Sequence, residues 1–335
     1  MKKISKLGLI NIPTEKEIEN YWKYTDKIYI SCICITYNQE LYIEDTINGF
    51  LSQKCEYKFE IIIYDDASTD ETRKILLAYK EKYPSIIKLI LQDTNQYSLK
   101  RKTFAIAWEK ANGDFIALCE GDDYWIDDYK LQKQITVILE NPNINLVITK
   151  ATSLYPNKKE QSFCDLGKNI KIIPFYKCIL GPKKDFFPTA TFFFRKKIID
   201  TIPDWFYTNT PVSDYYIQLF SSYPNGCIYL PNVTSIYRRN SIGSWSSQKN
   251  IKKKIIDLEK RVTCNLLIIN TLELKQKELL FLKKRKTVYI KELTHLNFIN
   301  KNIKITLTYF IKGILTMPIY YFSLILKSLL IRLFK

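Results

Sequence analysis

The chain has 335 residues, 51 Lys+Arg against 34 Asp+Glu for a net charge of +17, and a hydrophobic fraction of 46% beside a charged fraction of 25%. That length allows a sizeable core and about two or three domains, and the balance, with only 9 Gly and 12 Pro, excludes a disordered, collagen-like or low-complexity chain. The charge is lopsided: residues 249–335 hold 19 Lys+Arg and 5 Asp+Glu (+14), which leaves 32 against 29 (+3) for residues 1–248.

Residues 1–26 read as a polar, partly helical lead-in, without the apolar run that follows the charges of a secretion signal. Residues 28–35 form a continuous apolar run suited to a strand buried on both faces. Residues 40–53 carry Leu41, Ile47, Phe50 and Leu51 at helical spacing. A second strand is expected over 59–64, then a helix to about residue 83 with Asp70 as its cap and Pro84 as its stop. A third strand over 86–91, a short helix over 103–111 ended by Gly113, and a fourth strand over 114–119 follow. A helix over 128–140 stops at Asn141-Pro142-Asn143, and a fifth strand covers 146–149. Alternation of this kind implies an α/β fold with a mostly parallel sheet and helices on both faces.

From about 150 to 250 the pattern is irregular and aromatic. Phe192-Phe193-Phe194 reads as a buried strand, 213–222 as a helix, and 226–230 and 235–238 as two strands. Residues 249–300 are strongly helical. The reading divides the chain into a lead-in (1–26), a ligand-binding half (27–150), an acceptor or catalytic half (151–248) and a basic helical extension (249–335). Eight scattered cysteines without a C-x-x-C pair, and one histidine (His295), give no Cys/His metal site. They suit the role of small core residues in a reduced, cytosolic compartment.

In open α/β sheets ligands bind beyond the carboxyl ends of the strands. Three polar clusters fall at such ends: Thr36-Tyr37-Asn38, Asp65-Asp66-Ala67-Ser68 and Glu120-Gly121-Asp122-Asp123. One acidic strand end could be a cap, but three polar ends on one sheet edge make a site. Three carboxylates within four residues behind a buried strand call for a positive partner, and Mn2+ or Mg2+ carrying a diphosphate meets that need, since such ions use one or two carboxylates plus substrate phosphates. Asp66 could accept hydrogen bonds from a base or a ribose; its alternative is a helix cap, a place Asp70 already fills. Tyr37 offers an aromatic face or is simply half-buried. Asp214, just before a helix, could take a proton from a hydroxyl, although its spacing alone reads as an N-cap. Arg238 and Arg239 could hold a phosphate or form a surface pair. His295 lies far from these clusters and is given no role.

These motifs resemble the inverting glycosyltransferases of family 2, with the fold called GT-A. Ile35-Thr36-Tyr37-Asn38 is similar to that family's first-strand signature, and residues 63–70 to its acidic second-strand motif, which maps base recognition onto Asp66. Residues 120–123 resemble its D-x-D motif, which makes Asp122 the metal ligand. Glu120 stands where an aspartate is usual and so faces the nucleotide, and Asp123 the sugar or acceptor. Glu-Gly-Asp-Asp-Tyr-Trp followed by Lys130 to Gln134 matches a bacterial subset. The catalytic base maps onto Asp214, and Ile236 to Asn240 with Gly243-Ser244-Trp245-Ser246 is similar to a Y-R-x-H…G-x-W-S segment, with Asn240 in place of histidine. The resemblance covers about residues 28–248. It implies transfer from a nucleotide-diphosphate sugar, UDP-linked by preference, to a hydroxyl of a glycan or lipid-linked acceptor in surface-polysaccharide assembly, with Arg238 and Trp245 as acceptor or phosphate contacts. A nucleotidyltransferase would carry a Gly-rich phosphate loop after its first strand, and this chain has Thr-Tyr-Asn there. A non-catalytic nucleotide-sugar or carbohydrate binder is the other alternative, against which the intact Asp66, Asp122 and Asp214 argue.

Residues 305–326 are apolar apart from Lys312 and Pro318, and as one helix would reach about 33 Å, just a bilayer's core. A lysine and a proline in mid-span suit an interfacial anchor better, as do the flanking Lys301, Lys304, Lys327, Arg332 and Lys335. The expectation is contact with an anionic membrane at the cytoplasmic face. Nucleic acid is not expected, because no stacking platform or recognition motif accompanies the basic tail.

Overall fold

The structure, a computed structural model, describes residues 12–180, 187–242 and 250–333. Its centre is a curled sheet. β1 (Ile30–Thr36), β2 (Phe59–Asp65), β3 (Ile87–Leu91) and β4 (Phe115–Leu118) pair in parallel in the order β3-β2-β1-β4. β9 (Phe193–Arg195) enters antiparallel beside β4, and β6 (Leu146–Leu154) and the long β10 (Cys227–Arg238) continue the sheet as a parallel pair. β5 (Tyr124–Trp125) closes this end antiparallel to β10. Two short antiparallel strands, β7 (Glu160–Phe163) on β6 and β8 (Lys171–Ile173) on β10, complete it.

Alternate residues of each strand feed different cores, as the unbroken apolar runs require. Ile30, Cys32 and Cys34 of β1 and Ile61 and Ile63 of β2 pack under α2 (Ile43–Leu51), α3 (Thr72–Lys82) and α5 (Lys130–Glu140). Ile33, Ile62, Tyr64, Ile116 and Leu118 pack on the other face against α4 (Thr103–Trp108), α6 (Phe175–Leu180), α7 (Asp204–Asn209) and α8 (Asp214–Ser222). All eight cysteines are buried thiols, six of them in these two cores besides Cys178 and Cys227, whose sulfurs lie 3.7 Å apart unbridged. The basic extension is four helices, α9 (Ile251–Thr271), α10 (Gln276–Ile299), α11 (Ile303–Thr316) and α12 (Pro318–Leu333); α9 and α10 send Cys264, Ile268 and Leu282 into the second core. A small lead-in helix, α1 (Glu15–Glu19), starts at a Thr14–Glu17 capping box.

Three expectations change. The two strands expected over 226–238 are one strand whose register shifts around Pro231, where proline cannot donate to the ladder. The two-residue strand β5 has no signal of its own, because its pairing with Ser235 and Ile236 is purely tertiary. The apolar stretch 305–326 is not one helix: Pro318 opens α12, and Tyr321 folds back on Gly313 of α11, its hydroxyl 2.8 Å from that of Thr294. Among the described residues no helix is long and apolar enough to cross a membrane.

Candidate active site

The carboxyl ends of β1, β2 and β4 lie on one edge, and their loops are stapled together. The Asn38 amide donates to Ser68 Oγ at 2.9 Å, the Gln39 amide to Thr72 Oγ1 at 2.8 Å and the Glu40 amide to Asp70 Oδ2 at 3.1 Å; Asn38 Oδ1 accepts from the Thr69 amide at 2.8 Å. Asn38 and Ala67 both sit at positive φ (53° and 64°). For an alanine that costs roughly 1–2 kcal/mol and marks an edge shaped for more than stability.

Beyond β4 the acid turn follows directly. Its chain runs on beside β1, with the Gly121 amide donating to the Ile35 carbonyl at 3.0 Å. A Cβ on Gly121 would stand 2.7 Å from Thr36 Oγ1, so only glycine lets the turn approach β1 this closely. Thr46 Oγ1 of α2 donates to the carbonyls of Gly121 (3.1 Å) and Asp123 (2.5 Å). Glu120 and Asp122 remain partly exposed, whereas Asp123 is buried. Burial, and after it the charges of Asp122 and Asp214, push the Glu120 carboxyl up to about 8. Burial likewise raises Asp122, against the pull of the Ser241 hydroxyl, which donates to Asp122 Oδ2 at 2.6 Å. Asp123 lies well above the usual carboxylate range through burial and its two acidic neighbours. Its Oδ2 and the Thr36 hydroxyl find no protein partner.

The structure therefore gathers Thr36, Glu120, Asp122 and Asp123 at one place and brings the charge of Asp214 to bear on Glu120. Asp214 opens α8 with its Oδ1 accepting its neighbour Tyr215's amide at 2.7 Å; it caps no later amide of that helix. Tyr37 stands exposed at the rim. The two aspartates at the end of β2 have separate roles. Asp65 is fully buried against Arg73 Nε at 3.0 Å. Asp66 accepts from the Tyr64 hydroxyl (3.0 Å) and from the amides of Gln96 (2.8 Å) and Tyr97 (3.0 Å), so it moulds the loop after β3. Arg238, expected to reach a phosphate or the acceptor, is turned inward instead: it pairs with Asp45 and donates to the Asp122 carbonyl at 2.9 Å. Trp245 lies outside the described residues.

Asp45, Thr46, Ser241 and Lys102 surround the site, and sequence reasoning missed them. Asp45 and Thr46 had a signal: Tyr42, Asp45, Thr46 and Gly49 recur at helical spacing, a polar and small stripe opposite the apolar one. Lys102 donates to the Thr210 carbonyl at 2.6 Å, and burial, then Lys260 of α9, push it down to about 8 while Asp214 opposes the shift. Lys260 of the basic extension thus acts on the same Lys102 that feels the Asp214 charge, a neighbour no motif marks.

Among the described residues no group of three or more His, Cys, Asp or Glu side chains forms a ready metal centre. The acid turn fits instead the sparse donor set of a Mg2+ or Mn2+ ion that takes its remaining ligands from substrate phosphate and water. Asp122, part-exposed with one hydroxyl contact, is free to serve it, and the Arg238 charge offsets the crowding of the three acids only in part, since their pKa values stay raised.

A family model for Glycosyl transferase family 2 matches residues 31–202, just over half of the chain. Rv1520, an uncharacterized protein of Mycobacterium tuberculosis (strain ATCC 25618 / H37Rv), is 31% identical over 229 residues, 67% of this chain and 63% of that protein. The chain thus spans less than two thirds of that relative's length. TuaG of Bacillus subtilis (strain 168), a putative teichuronic acid biosynthesis glycosyltransferase, is 37% identical over 114 residues, 34% of this chain and 43% of TuaG. Among solved structures, S. aureus TarS 1–349 in complex with UDP-GlcNAc superposes with a TM-score of 0.61 at 18% identity, over 87% of this chain and 82% of that one. At that identity the likeness is one of fold, and the fold is GT-A.

Proposed function

The chain belongs to glycosyl transferase family 2, and on that footing we propose that it moves a sugar from a nucleotide-diphosphate donor, by preference a UDP-sugar, to a hydroxyl of a glycan or lipid-linked acceptor in polysaccharide assembly, inverting the anomeric carbon. The observation that carries the reading is the acid turn at the carboxyl edge of a GT-A sheet, where Glu120 also feels the Asp214 charge. TuaG, as a putative teichuronic acid biosynthesis glycosyltransferase, supports polysaccharide as the product class, and the UDP-GlcNAc in TarS supports a UDP-linked donor.

Asp214 takes the proton of the acceptor hydroxyl as its oxygen attacks the anomeric carbon, and the bond from that carbon to the diphosphate oxygen breaks on the opposite side. Thr36 and Tyr37 line the nucleotide side. Asp66 recognises the base, having shaped the loop at Gln96 and Tyr97 around it. Glu120 faces the nucleotide and Asp123 supports the sugar or acceptor side. Asp122 would hold Mn2+ or Mg2+, which when bound neutralises the charge developing on the diphosphate.

A thermal-shift screen of UDP-, GDP- and TDP-sugars tests this. One UDP-sugar should raise Tm by several degrees with Mn2+ present, because a ligand at 100 times its Kd adds about 2.7 kcal/mol, and that sugar should be hydrolysed slowly without acceptor. A flat response to every donor overturns the donor assignment. Binding without any metal-dependent hydrolysis would favour the non-catalytic binder.

The same reading places the protein on an anionic membrane, at the cytoplasmic face. Residues 293–335 contain no Asp or Glu and six Lys or Arg. Leu315 (79% exposed) and Ile319 (88%) stand bare where α11 meets α12, with Leu307, Ile311 and Leu326 also open. Apolar side chains among lysines on a helical hairpin match the boundary of anionic lipids. The protein should cosediment with phosphatidylglycerol vesicles at low salt, and Leu315→Asp/Ile319→Asp should leave it in the supernatant. Equal partition of the variant and the parent removes the anchor.

A further inference from the structure

Arg238 ends β10 at the acid turn, and both terminal nitrogens of its side chain meet protein. One terminal nitrogen donates to the Asp122 carbonyl at 2.9 Å and the other pairs with Asp45 Oδ2. Its own amide donates to Asp123 Oδ1 at 2.8 Å. The guanidinium lies over two rings, Tyr124 at 4.3 Å and Tyr42 at 5.0 Å. Arg238 and Asp45 are 7% and 5% exposed. A single residue thus grips the main chain at Asp122 and the side chain at Asp123.

The guanidinium of Arg238 ties the end of β10 to both α2 and the acid turn. Its planar fork serves two acceptors at once only when one side is fixed, and Asp45, on the face of α2 that abuts the turn, fixes it. The Asp45 charge therefore sets the position of the Asp122 backbone through Arg238, and with it the direction of the Asp122 carboxylate. Ser241, three residues beyond Arg238, steadies that carboxylate from the same strand end.

We propose that Asp45 is a positioning residue: through Arg238 it holds Asp122 in the orientation that receives the divalent cation and the donor's diphosphate. This rests on the functional reading above. Asp45 touches neither substrate nor metal, and its effect is confined to the metal-dependent part of donor binding. Removing its charge leaves Arg238 buried without its counterion, and the guanidinium then relaxes toward other acceptors and releases the turn.

The test compares UDP affinity by calorimetry with and without Mn2+, beside Tm and circular dichroism, in the full chain. In Asp45→Asn the metal-free affinity should stay as in the parent. The gain in affinity on adding Mn2+ should fall by about 10- to 100-fold, the loss typical when an outer partner of a metal ligand is removed. Arg238→Lys, with charge but no fork, should behave alike, and Asp45→Asn/Arg238→Gln should be no worse than either change alone, as expected of one coupled unit. A folded Asp45→Asn with an undiminished Mn2+ gain overturns the proposal, even if its Tm is lower. Should Asp45→Asn fail to fold, Arg238→Lys carries the test alone, and an undiminished gain there overturns the proposal equally. A parent protein with no Mn2+ gain at all instead removes the functional reading, and this proposal with it.

Discussion

Asp214→Asn is expected to bind nucleotide sugar as the parent does while turnover falls by roughly 10²–10⁴-fold, the usual worth of a general base. The replacement is nearly isosteric. The amide oxygen of asparagine can still accept the Tyr215 amide, as Asp214 Oδ1 does at 2.7 Å, so the start of α8 should not move. What is lost is the ability to take a proton. Asp214 adds to the charge felt at Glu120, so the substitution also lets the Glu120 carboxyl fall somewhat from about 8. Single-turnover transfer to acceptor, with donor affinity measured by calorimetry, separates these effects. Near-normal turnover in Asp214→Asn would remove it from the role, and a large loss of donor affinity would make it a binding residue.

The parallel half of the sheet was legible because its strands are buried on both faces. Ile30 to Ile35 and Phe59 to Tyr64 need no partner information to read as strands, and polar residues that end such runs must lie at the sheet edge. The need for Gly121 shows only in the structure, where a Cβ would stand 2.7 Å from Thr36 Oγ1 of the neighbouring strand. What the sequence hides is pairing across long separations. β5 exists only because β10 runs beside it, and Arg238 reaches Asp45 across 193 positions. An arginine beside a site reads as a phosphate ligand until its counterion is located. The role of α9 was hidden for a related reason: Lys260 is one of many surface lysines until the fold sets it against Lys102 beside Asp214.

The second large effect is expected at Asp122, where activity and stability should move in opposite directions. Asp122→Asn should cut turnover by roughly 10²–10⁴-fold, the several kcal/mol that a divalent cation contributes at a diphosphate. It should also abolish the gain in UDP affinity on adding Mn2+. Yet the ligand-free variant should melt above the parent, because the change removes one of three crowded carboxylates. The sign follows from Glu120. Its folded-state pKa, about 8, lies above its ordinary 4.5, with the Asp122 charge the second cause after burial. Between those values the folded chain holds a proton that the unfolded chain has released, so stability falls as pH rises from about 4.5 to about 8. Without the Asp122 charge that fall is smaller. The advantage of Asp122→Asn should therefore be negligible at pH 4 and largest at pH 8 and above, on the order of 1 kcal/mol for such partly exposed groups. Melting curves of parent and variant across pH, without metal or nucleotide, measure it. A variant that is less stable than the parent at pH 8 would mean that Asp122 already has its countercharge within the protein, in Arg238, and needs no cation.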